Sequence, residues 1–209
     1  MSERLAVAIE DFVASWQQSG LADRDLLPWE ATSRAAELVH RALGRLGAGY
    51  RLEDDKAIHT SATVEPGAIV KGPAIVGPNS YLAAGAYLRG GVFLDADCIV
   101  GPACELKTTF MFRGSKVAHL SFVGDSIIGS GVNIEAGAVV ANYRNEMDLK
   151  RIRILWQGAV IDTGVDKFGA LIGDDVRIGA NAVVAPGALL RPGFRLARLG
   201  MLDQHPNGL

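Results

Sequence analysis

The chain has 209 residues, of which 49% are hydrophobic and 21% are charged, and its formal net charge is -2 at pH 7. These proportions exclude a disordered chain, and the near-neutral charge excludes a global basic field that would attract nucleic acid or an anionic membrane. No apolar run approaches the roughly 20 residues that a membrane span needs, and the two cysteines are too few for a disulfide framework. We therefore expect a cytoplasmic protein with no nucleic-acid partner and no membrane partner.

Residues 1–50 are predicted to form an N-terminal helical segment. Residues 3–18 carry apolar side chains at the spacing of one helix face, and the same pattern returns between Pro28 and Gly47. The two stripes predict a helical hairpin that serves packing or oligomerisation. Their members are Leu5, Ile9, Phe12, Val13 and Trp16 in the first, and Ala31, Ala35, Leu38, Val39, Ala42, Leu43 and Leu46 in the second.

From residue 57 onward the apolar period changes to six. In eleven consecutive blocks the second position is large and apolar ten times, and Phe112 and Ala118 fill it in the last two blocks. Residues 123–126 interrupt the frame, which then resumes. Six residues suit a short strand and a turn, and three such strands form a triangular coil of eighteen residues. We therefore predict an all-β solenoid over 57–196 with an inserted loop at 145–170.

The third position of each block should point to solvent. Lys71, Arg89 and Lys107 all occupy it, eighteen residues apart, so they should stack as a column of cations on one outer face. Like charges at the spacing of one coil repel unless an anion binds them. The column predicts a phosphate site, and a solvated face with separated side-chain tips is the alternative.

Residues 105–144, ELKTTFMFRGSKVAHLSFVGDSIIGSGVNIEAGAVVANYR, show a more specific likeness. They resemble the acetyltransferase half of the bifunctional sugar-1-phosphate nucleotidylyltransferase/acetyltransferases, a group of hexapeptide-repeat acyltransferases. Residues 160–176 resemble the archaeal-type branch, and the likeness covers about 66–194. It implies a left-handed parallel β-helix, a homotrimer, acetyl-CoA as co-substrate without a metal, and an amino-sugar phosphate such as glucosamine-1-phosphate as acceptor. The nucleotidylyltransferase half has no counterpart in this sequence.

The resemblance also implies roles for individual residues. His119 matches the general base, and two departures concern Phe122, which replaces a substrate-binding tyrosine, and Asp148, which stands where a loop lysine is expected near Lys150, Arg151 and Arg153. The other matches are Arg89 and Lys107 for the substrate phosphate, Asn133, Asn142 and the adjacent Tyr143 for the sugar and acetyl region, and Ala136 and Ala180 for the backbone of the acetyl-CoA channel.

Three other functions compete with acetyl transfer to an amino-sugar phosphate. One is acyl transfer to a nucleotide-linked sugar, and another is a non-catalytic trimer that serves as a scaffold or regulatory subunit, with Phe122 as the sign of lost activity. A zinc enzyme of the trimeric β-helix kind would need three histidines, but the solenoid offers only His59 and His119, sixty residues apart. Metal chemistry therefore fits this sequence poorly.

Overall fold

The computed structural model describes residues 7–23 and 26–207, and most of them form a stack of short strands. The helical elements are two single-turn 3-10 helices, Ile9–Asp11 and Trp16–Gln18, followed by α1 (Pro28–Ser33) and α2 (Ala35–Leu43). The strands are β1 (Tyr50–Glu53), β2 (Lys56–His59), β3 (Thr63–Val64), β4 (Ile69–Val70), β5 (Ala74–Val76), β6 (Tyr81–Leu82), β7 (Tyr87–Leu94), β8 (Ile99–Val100), β9 (Glu105–Met111), β10 (Lys116–Val117), β11 (Phe122–Ile128), β12 (Asn133–Ile134), β13 (Val139–Val140), β14 (Arg153–Trp156), β15 (Ala159–Asp162), β16 (Ala170–Ile172), β17 (Arg177–Ile178), β18 (Val183–Val184), β19 (Ala188–Leu190), β20 (Arg195–Leu196) and β21 (Met201–Leu202).

The strands stack into a seven-stranded and a twelve-stranded sheet, and one apolar core lies between them. All of their pairings are parallel except that of β1 with β2, which is antiparallel. The seven-stranded sheet has the order β3-β6-β8-β10-β12-β17-β20, so each strand pairs with the corresponding strand of the next coil. Its inward residues form a column in register: Val64, Leu82, Val100, Val117, Ile134, Ile178 and Leu196. The predicted fold class, a left-handed parallel β-helix of hexapeptide repeats, is confirmed.

Some coils contain seventeen residues rather than eighteen. Leu106 pairs with Val123, seventeen residues later, because the bend within β9 is one residue shorter than the bend that the glycines at 90–91 form within β7. The shorter corners turn at Thr108 and Asp125, whose φ angles of 53° and 45° lie in the left-handed region. Asp tolerates that region better than most residues do.

The shorter coils correct the predicted repeat frame. Met111 and Val117 face the core, where the sequence had predicted Phe112 and Ala118. Phe112 instead faces outward and packs against the N-terminal segment. His119 therefore lies two residues after an inward position, in a corner between strands, and not on a strand as the frame predicted.

The first predicted helix, over 3–18, is not a continuous helix. Residues 3–6 lie outside the described residues, and the remainder forms the two 3-10 helices. The second helix is divided at Arg34, where φ is -101° and ψ is 15°. Apolar residues of the first stripe are nevertheless buried, namely Ile9, Phe12, Val13 and Trp16. Short helices are marginal by themselves, so contact with the solenoid decides the local conformation here.

The N-terminal segment covers one outer face of the solenoid. Trp16 is 1% exposed, and its ring centroid lies 6.1 Å from that of Phe110. Gly91 allows α2 to approach the coils, because a Cβ at that position would lie 2.6 Å from the backbone nitrogen of Ala36. The segment therefore serves packing. The covered face presents the outward column Ile75, Phe93, Phe110, Ile127, Leu171 and Leu189.

The coils continue slightly beyond the predicted limit at residue 196. β21 pairs with β18 and closes the C-terminal end of the stack. The insertion leaves the solenoid after β13 and rejoins it at β16. It contains the antiparallel hairpin formed by β14 and β15. It thus begins a few residues before the predicted loop at 145–170.

Candidate active site

Three predicted site residues share one corner of the solenoid. The amide of Gly137 donates to the carbonyl of His119 at 2.9 Å, and the amide of Asn181 donates to the carbonyl of Ala136 at 2.9 Å. These bonds put His119, Ala136 and Ala180 on successive coils in one column. The residue types give no hint of this alignment, because an insertion separates the second residue from the third in the sequence.

The corner holds the His119 backbone and leaves its side chain exposed. The carbonyl of His119 also accepts a hydrogen bond from Oγ of Ser121 at 3.0 Å. The next residue, Leu120, adopts a left-handed φ of 54° and is 71% exposed. An exposed imidazole on a fixed backbone is suited to take a proton from a bound ligand.

The predicted column of cations exists, but its main members are paired. Arg89 and Lys107 are partners in register, and the backbone ladder sets Lys71 one coil before them. Nη2 of Arg89 lies 2.6 Å from Oε1 of Glu105, and Nζ of Lys107 lies 2.6 Å from Oδ2 of Asp125. The protein's own carboxylates therefore relieve the repulsion, and the premise that an anion must bind there is wrong.

Asp125 binds two of the predicted substrate-binding residues. Its side chain is 9% exposed, and its Oδ2 accepts hydrogen bonds from Lys107 and from the amide of Asn142. Gly124 leaves room for this cluster, because a Cβ there would lie 2.7 Å from Cγ of Asn142 and 2.8 Å from Cζ of Phe122. Lys107 and Asn142 thus come together around one carboxylate, and the ring of Phe122 lies near the Asn142 side chain.

The insertion leaves and rejoins the solenoid at the same cluster. The amide of Phe168 donates to the carbonyl of Asn142 at 3.1 Å, and the amide of Gly169 donates to the carbonyl of Asp125 at 2.9 Å. Tyr143 is exposed at the start of the insertion, and Nζ of Lys150 lies 5.5 Å from its ring centroid. A change in the insertion would therefore be transmitted directly to Asn142.

Asn133 stands apart, on the outer surface of the seven-stranded sheet. It pairs in register with Lys116 on one side and with Arg177 on the other, and Arg195 follows Arg177. Within residues 7–23 and 26–207, no carboxylate forms an ion pair with these three cations. In one chain, the predicted residues therefore lie on two outer surfaces that meet near the corner of His119.

Residues 70–184, more than half of the chain, match the family described as the GMPPB C-terminal domain. The chain belongs to this family. A bifunctional sugar-1-phosphate nucleotidylyltransferase/acetyltransferase of Sulfurisphaera tokodaii is 42% identical over 88 residues, which cover 42% of this chain and 21% of the relative. The bifunctional protein GlmU of Methanococcus maripaludis strain C5 is 36% identical over 166 residues, which cover 77% of this chain and 39% of the relative.

These relatives confirm the resemblance drawn from residues 105–144, although the chain spans less than half of their length. Among solved structures, a hexapeptide transferase family protein from Anaplasma phagocytophilum is similar at 14% identity, with a TM-score of 0.43 over 74% of this chain and 79% of that chain. PerB from Caulobacter crescentus, solved with CoA and GDP-perosamine, is similar at 21% identity, with a TM-score of 0.30 over 65% of this chain and 51% of that chain.

Sequence reasoning missed three charged residues that shape this region. Asp125 fell within the stretch that broke the repeat frame, and that break was the only signal for it. Oε2 of Glu135 accepts the amide of Ala180 at 2.9 Å and so braces the corner. Arg144 is 1% exposed and pairs with Asp203 at 2.5 Å, which ties the insertion to the last coil. A buried arginine has no local sequence signature, because its partner lies 59 residues away.

The described residues contain neither a metal-binding cluster nor a membrane-spanning helix. In the stretches 7–23 and 26–207, no three His, Cys, Asp or Glu side chains come together as a set that could hold a metal ion. No helix among those residues is long and apolar enough to cross a membrane.

Proposed function

We propose that this chain is an acetyl-CoA-dependent N-acetyltransferase that acts on an amino-sugar phosphate of the glucosamine-1-phosphate type. The amine nitrogen attacks the thioester carbonyl, so a C–N bond forms as the C–S bond breaks. His119 takes the proton that the nitrogen loses, and the thiolate of coenzyme A receives a proton as it leaves. Attack is direct, so no protein nucleophile is needed.

The observation that carries this proposal is the corner column of His119, Ala136 and Ala180. The family resemblance assigns the base to the first residue and the acetyl-CoA channel to the other two. The ladder hydrogen bonds align their backbones on successive coils, each displaced by about 4.8 Å from the last. A thioester held along this corner would present its acyl group to the exposed imidazole.

Arg89 and Lys107 remain our proposed contacts for the sugar phosphate, even though each has a carboxylate partner. A guanidinium has five N–H donors and an ammonium has three. Arg89 uses Nε and Nη2 toward Glu105, which leaves other donors for a phosphate. Because Glu105 competes for this guanidinium, Glu105→Gln should strengthen binding of the sugar phosphate by several-fold, while Arg89→Ala should weaken it.

We propose that the active form is a homotrimer. The residues assigned to substrate and co-substrate lie on two outer surfaces of one chain, and a second copy facing the corner of His119 would turn those surfaces into a cleft. Light scattering should give a mass near three times 22.1 kDa. A stable monomer would remove the intersubunit cleft and most of the support for this function.

The direct test is release of coenzyme A across a panel of amino-sugar phosphates. We expect His119→Ala to lower turnover by about 10²–10⁴-fold, the usual contribution of a general base, and to leave acetyl-CoA binding intact. His59→Ala is the control, because His59 lies in a different part of the stack and hydrogen-bonds Oγ of Ser61. Full activity in His119→Ala would overturn the mechanism.

The same assay separates the alternatives. If the protein acetylates nucleotide-linked amino sugars but no sugar monophosphate, the result would support the first alternative, acyl transfer to a nucleotide-linked sugar. Phe122→Tyr restores a hydroxyl next to Asn142, and one new hydrogen bond is worth roughly 0.5–1.5 kcal/mol, a several-fold gain on glucosamine-1-phosphate. No turnover in the natural protein, together with activity in Phe122→Tyr, would support the scaffold.

A further inference from the structure

The N-terminal segment contacts the insertion as well as the solenoid. The ring of Trp29, in α1, meets the ring of Phe168 edge to face, with the ring centroids 5.9 Å apart. A second pair joins the same two parts of the chain, because the ring centroid of Phe12 lies 5.8 Å from that of Trp156 in β14. Trp29 and Phe168 are 3% and 0% exposed, so their contact excludes solvent. The segment therefore holds the insertion both at its hairpin and at its C-terminal end.

Hydrogen bonds within α1 fix the position of Trp29. The amide of Leu27 donates to Oε2 of Glu30 at 3.0 Å and so caps the first turn. At the other end, Oγ of Ser33 donates to the carbonyl of Trp29 at 2.7 Å. The helix packs against β11, the strand that contains Asp125. Trp29 is therefore held in one place beside the candidate site.

Phe168 connects this aromatic contact to Asn142. The ladder holds the chain as far as Ala141, whose amide donates to the carbonyl of Val184 at 2.9 Å. Asn142 comes next, and its carbonyl accepts the amide of Phe168 at 3.1 Å across the neck of the insertion. The side-chain amide of Asn142 donates to Asp125. A shift of Phe168 would therefore move Asn142 relative to Asp125.

We propose that Trp29 is a positioning residue that acts through Phe168 to hold Asn142 in the orientation that binds the amino-sugar acceptor. This inference rests on the proposed function, which assigns Asn142 to the substrate. It goes beyond that assignment, because Trp29 lies outside residues 70–184, the range that matches the family. The N-terminal segment thus has a second role besides packing, which is to set the geometry of the acceptor site.

The proposed role predicts an effect on one substrate only. The ladder bonds of the corner hold Ala136 and Ala180, which we assign to acetyl-CoA, and these bonds do not pass through the insertion. Loss of the Trp29 ring should therefore weaken binding of the acceptor and spare acetyl-CoA. A general loosening of the fold would affect both substrates.

The first experiment is steady-state kinetics of Trp29→Leu with acetyl-CoA and the best acceptor of the panel. Leucine keeps an apolar side chain in α1 but removes the ring that meets Phe168. We expect the KM for the acceptor to rise about three- to tenfold, as when one hydrogen bond is weakened, and the KM for acetyl-CoA to stay unchanged. Trp29→Phe should restore most of the acceptor KM, because a phenyl ring can also meet Phe168 edge to face.

The matched control is Trp16→Ala. Trp16 belongs to the same segment and is also buried, but its ring packs against Phe110 and Phe112 on the covered face. This variant should lose more stability than Trp29→Leu and keep the natural KM for both substrates. An acceptor KM that rises equally in the control would overturn the positioning role, and so would an unchanged acceptor KM in Trp29→Leu.

Hydrogen exchange gives a second readout that needs no acetyl transfer. The amides of Phe168 and Gly169 donate to the carbonyls of Asn142 and Asp125, so their exchange rates report on the neck of the insertion. In Trp29→Leu these two amides should exchange about tenfold faster, while the ladder amides of β12 keep their rates.

The two readouts separate this inference from the proposed function. If the natural protein acetylates no acceptor of the panel, the proposed function fails, and exchange at residues 168 and 169 still decides whether Trp29 holds Asn142. Faster exchange in Trp29→Leu than in Trp16→Ala would support that link. Equal exchange in Trp29→Leu and the natural protein would overturn it.

Discussion

Nζ of Lys107 lies 2.6 Å from Oδ2 of Asp125, and the two side chains are 18% and 9% exposed. Asp125 reaches this position because its corner turns through a left-handed φ of 45°. The same oxygen accepts the amide of Asn142, so one carboxylate links two successive coils to the neck of the insertion. Asp125 is therefore a positioning residue for two side chains that we assign to the substrate.

Asp125→Asn tests the strength of this link. Asparagine tolerates the left-handed backbone, so the variant mainly removes the charge and leaves Lys107 half-buried without a counter-ion. We expect the free energy of unfolding to fall by about 1–3 kcal/mol, measured by urea denaturation. Asp97→Asn is the matched control, because Asp97 also has a positive φ of 61° and pairs with Arg113, but both of those side chains are exposed. Equal losses in the two variants would contradict the buried link.

The N-terminal segment should stabilise the solenoid through Trp16. This side chain packs against Phe110 and Phe112 on the covered face, with ring centroids 6.1 Å and 6.2 Å away. Trp16→Ala should lower the free energy of unfolding by about 3–5 kcal/mol, as for other large buried aromatics. Trp156→Ala, in the half-buried hairpin of the insertion, should cost clearly less. A comparable fall in the free energy of unfolding in both variants would contradict a larger stabilising contribution from Trp16.

Two glycines distinguish backbone contact from side-chain contact between coils. A Cβ at Gly101 would lie 1.5 Å from the carbonyl oxygen of Ala118, which the ladder holds in place. The atoms nearest to a Cβ at Gly124 belong to the Asn142 and Phe122 side chains, at 2.7–2.8 Å, and side chains shift at a lower cost than the ladder backbone does. Gly101→Ala should therefore lower stability by more than about 4 kcal/mol and Gly124→Ala by about 1–3 kcal/mol, both measured by urea denaturation. A larger loss of stability in Gly124→Ala than in Gly101→Ala would contradict the close backbone contact between Gly101 and Ala118.

Acid should weaken the C-terminal end in two stages. Burial and then the positive charge of Arg144 lower the pKa of His205, so the unfolded chain binds a proton first and stability falls as the pH drops below about 6.5. The hydrogen bond from Arg144 lowers the pKa of Asp203, so the stability from this pair is present above about pH 4 and is lost at lower pH. Urea midpoints at several pH values should show a smaller decline between pH 7 and 5 in His205→Gln. An unchanged decline would exclude His205 as its source.

Much of the fold can be predicted from the sequence, because the repeat of a β-helix is a pattern of residues that lie close together along the chain. An apolar residue at every sixth position, such as Val70 or Val184, marks a strand even when the strand that pairs with it is not known. The stacking of Arg89 on Lys107 follows from the same count. The corner column of His119, Ala136 and Ala180 did not follow from the count, because it spans a seventeen-residue coil and an insertion. Only the family resemblance brought those three residues to attention.

The sequence by itself determined the solenoid, its approximate limits and the residue types available to a site. The tertiary structure alone decided where corners lose a residue, which moved His119 off a strand and turned Phe112 outward. It also decided that Glu105 and Asp125 pair with two of the predicted cations, Arg89 and Lys107. Among residues 7–23 and 26–207, no carboxylate forms an ion pair with Arg177 or Arg195. The physical reason is distance along the chain. The period of buried positions is set by residues that are neighbours in the sequence, whereas the ion pairs join side chains that are about one coil apart. Only the stacking of the coils brings those side chains into contact.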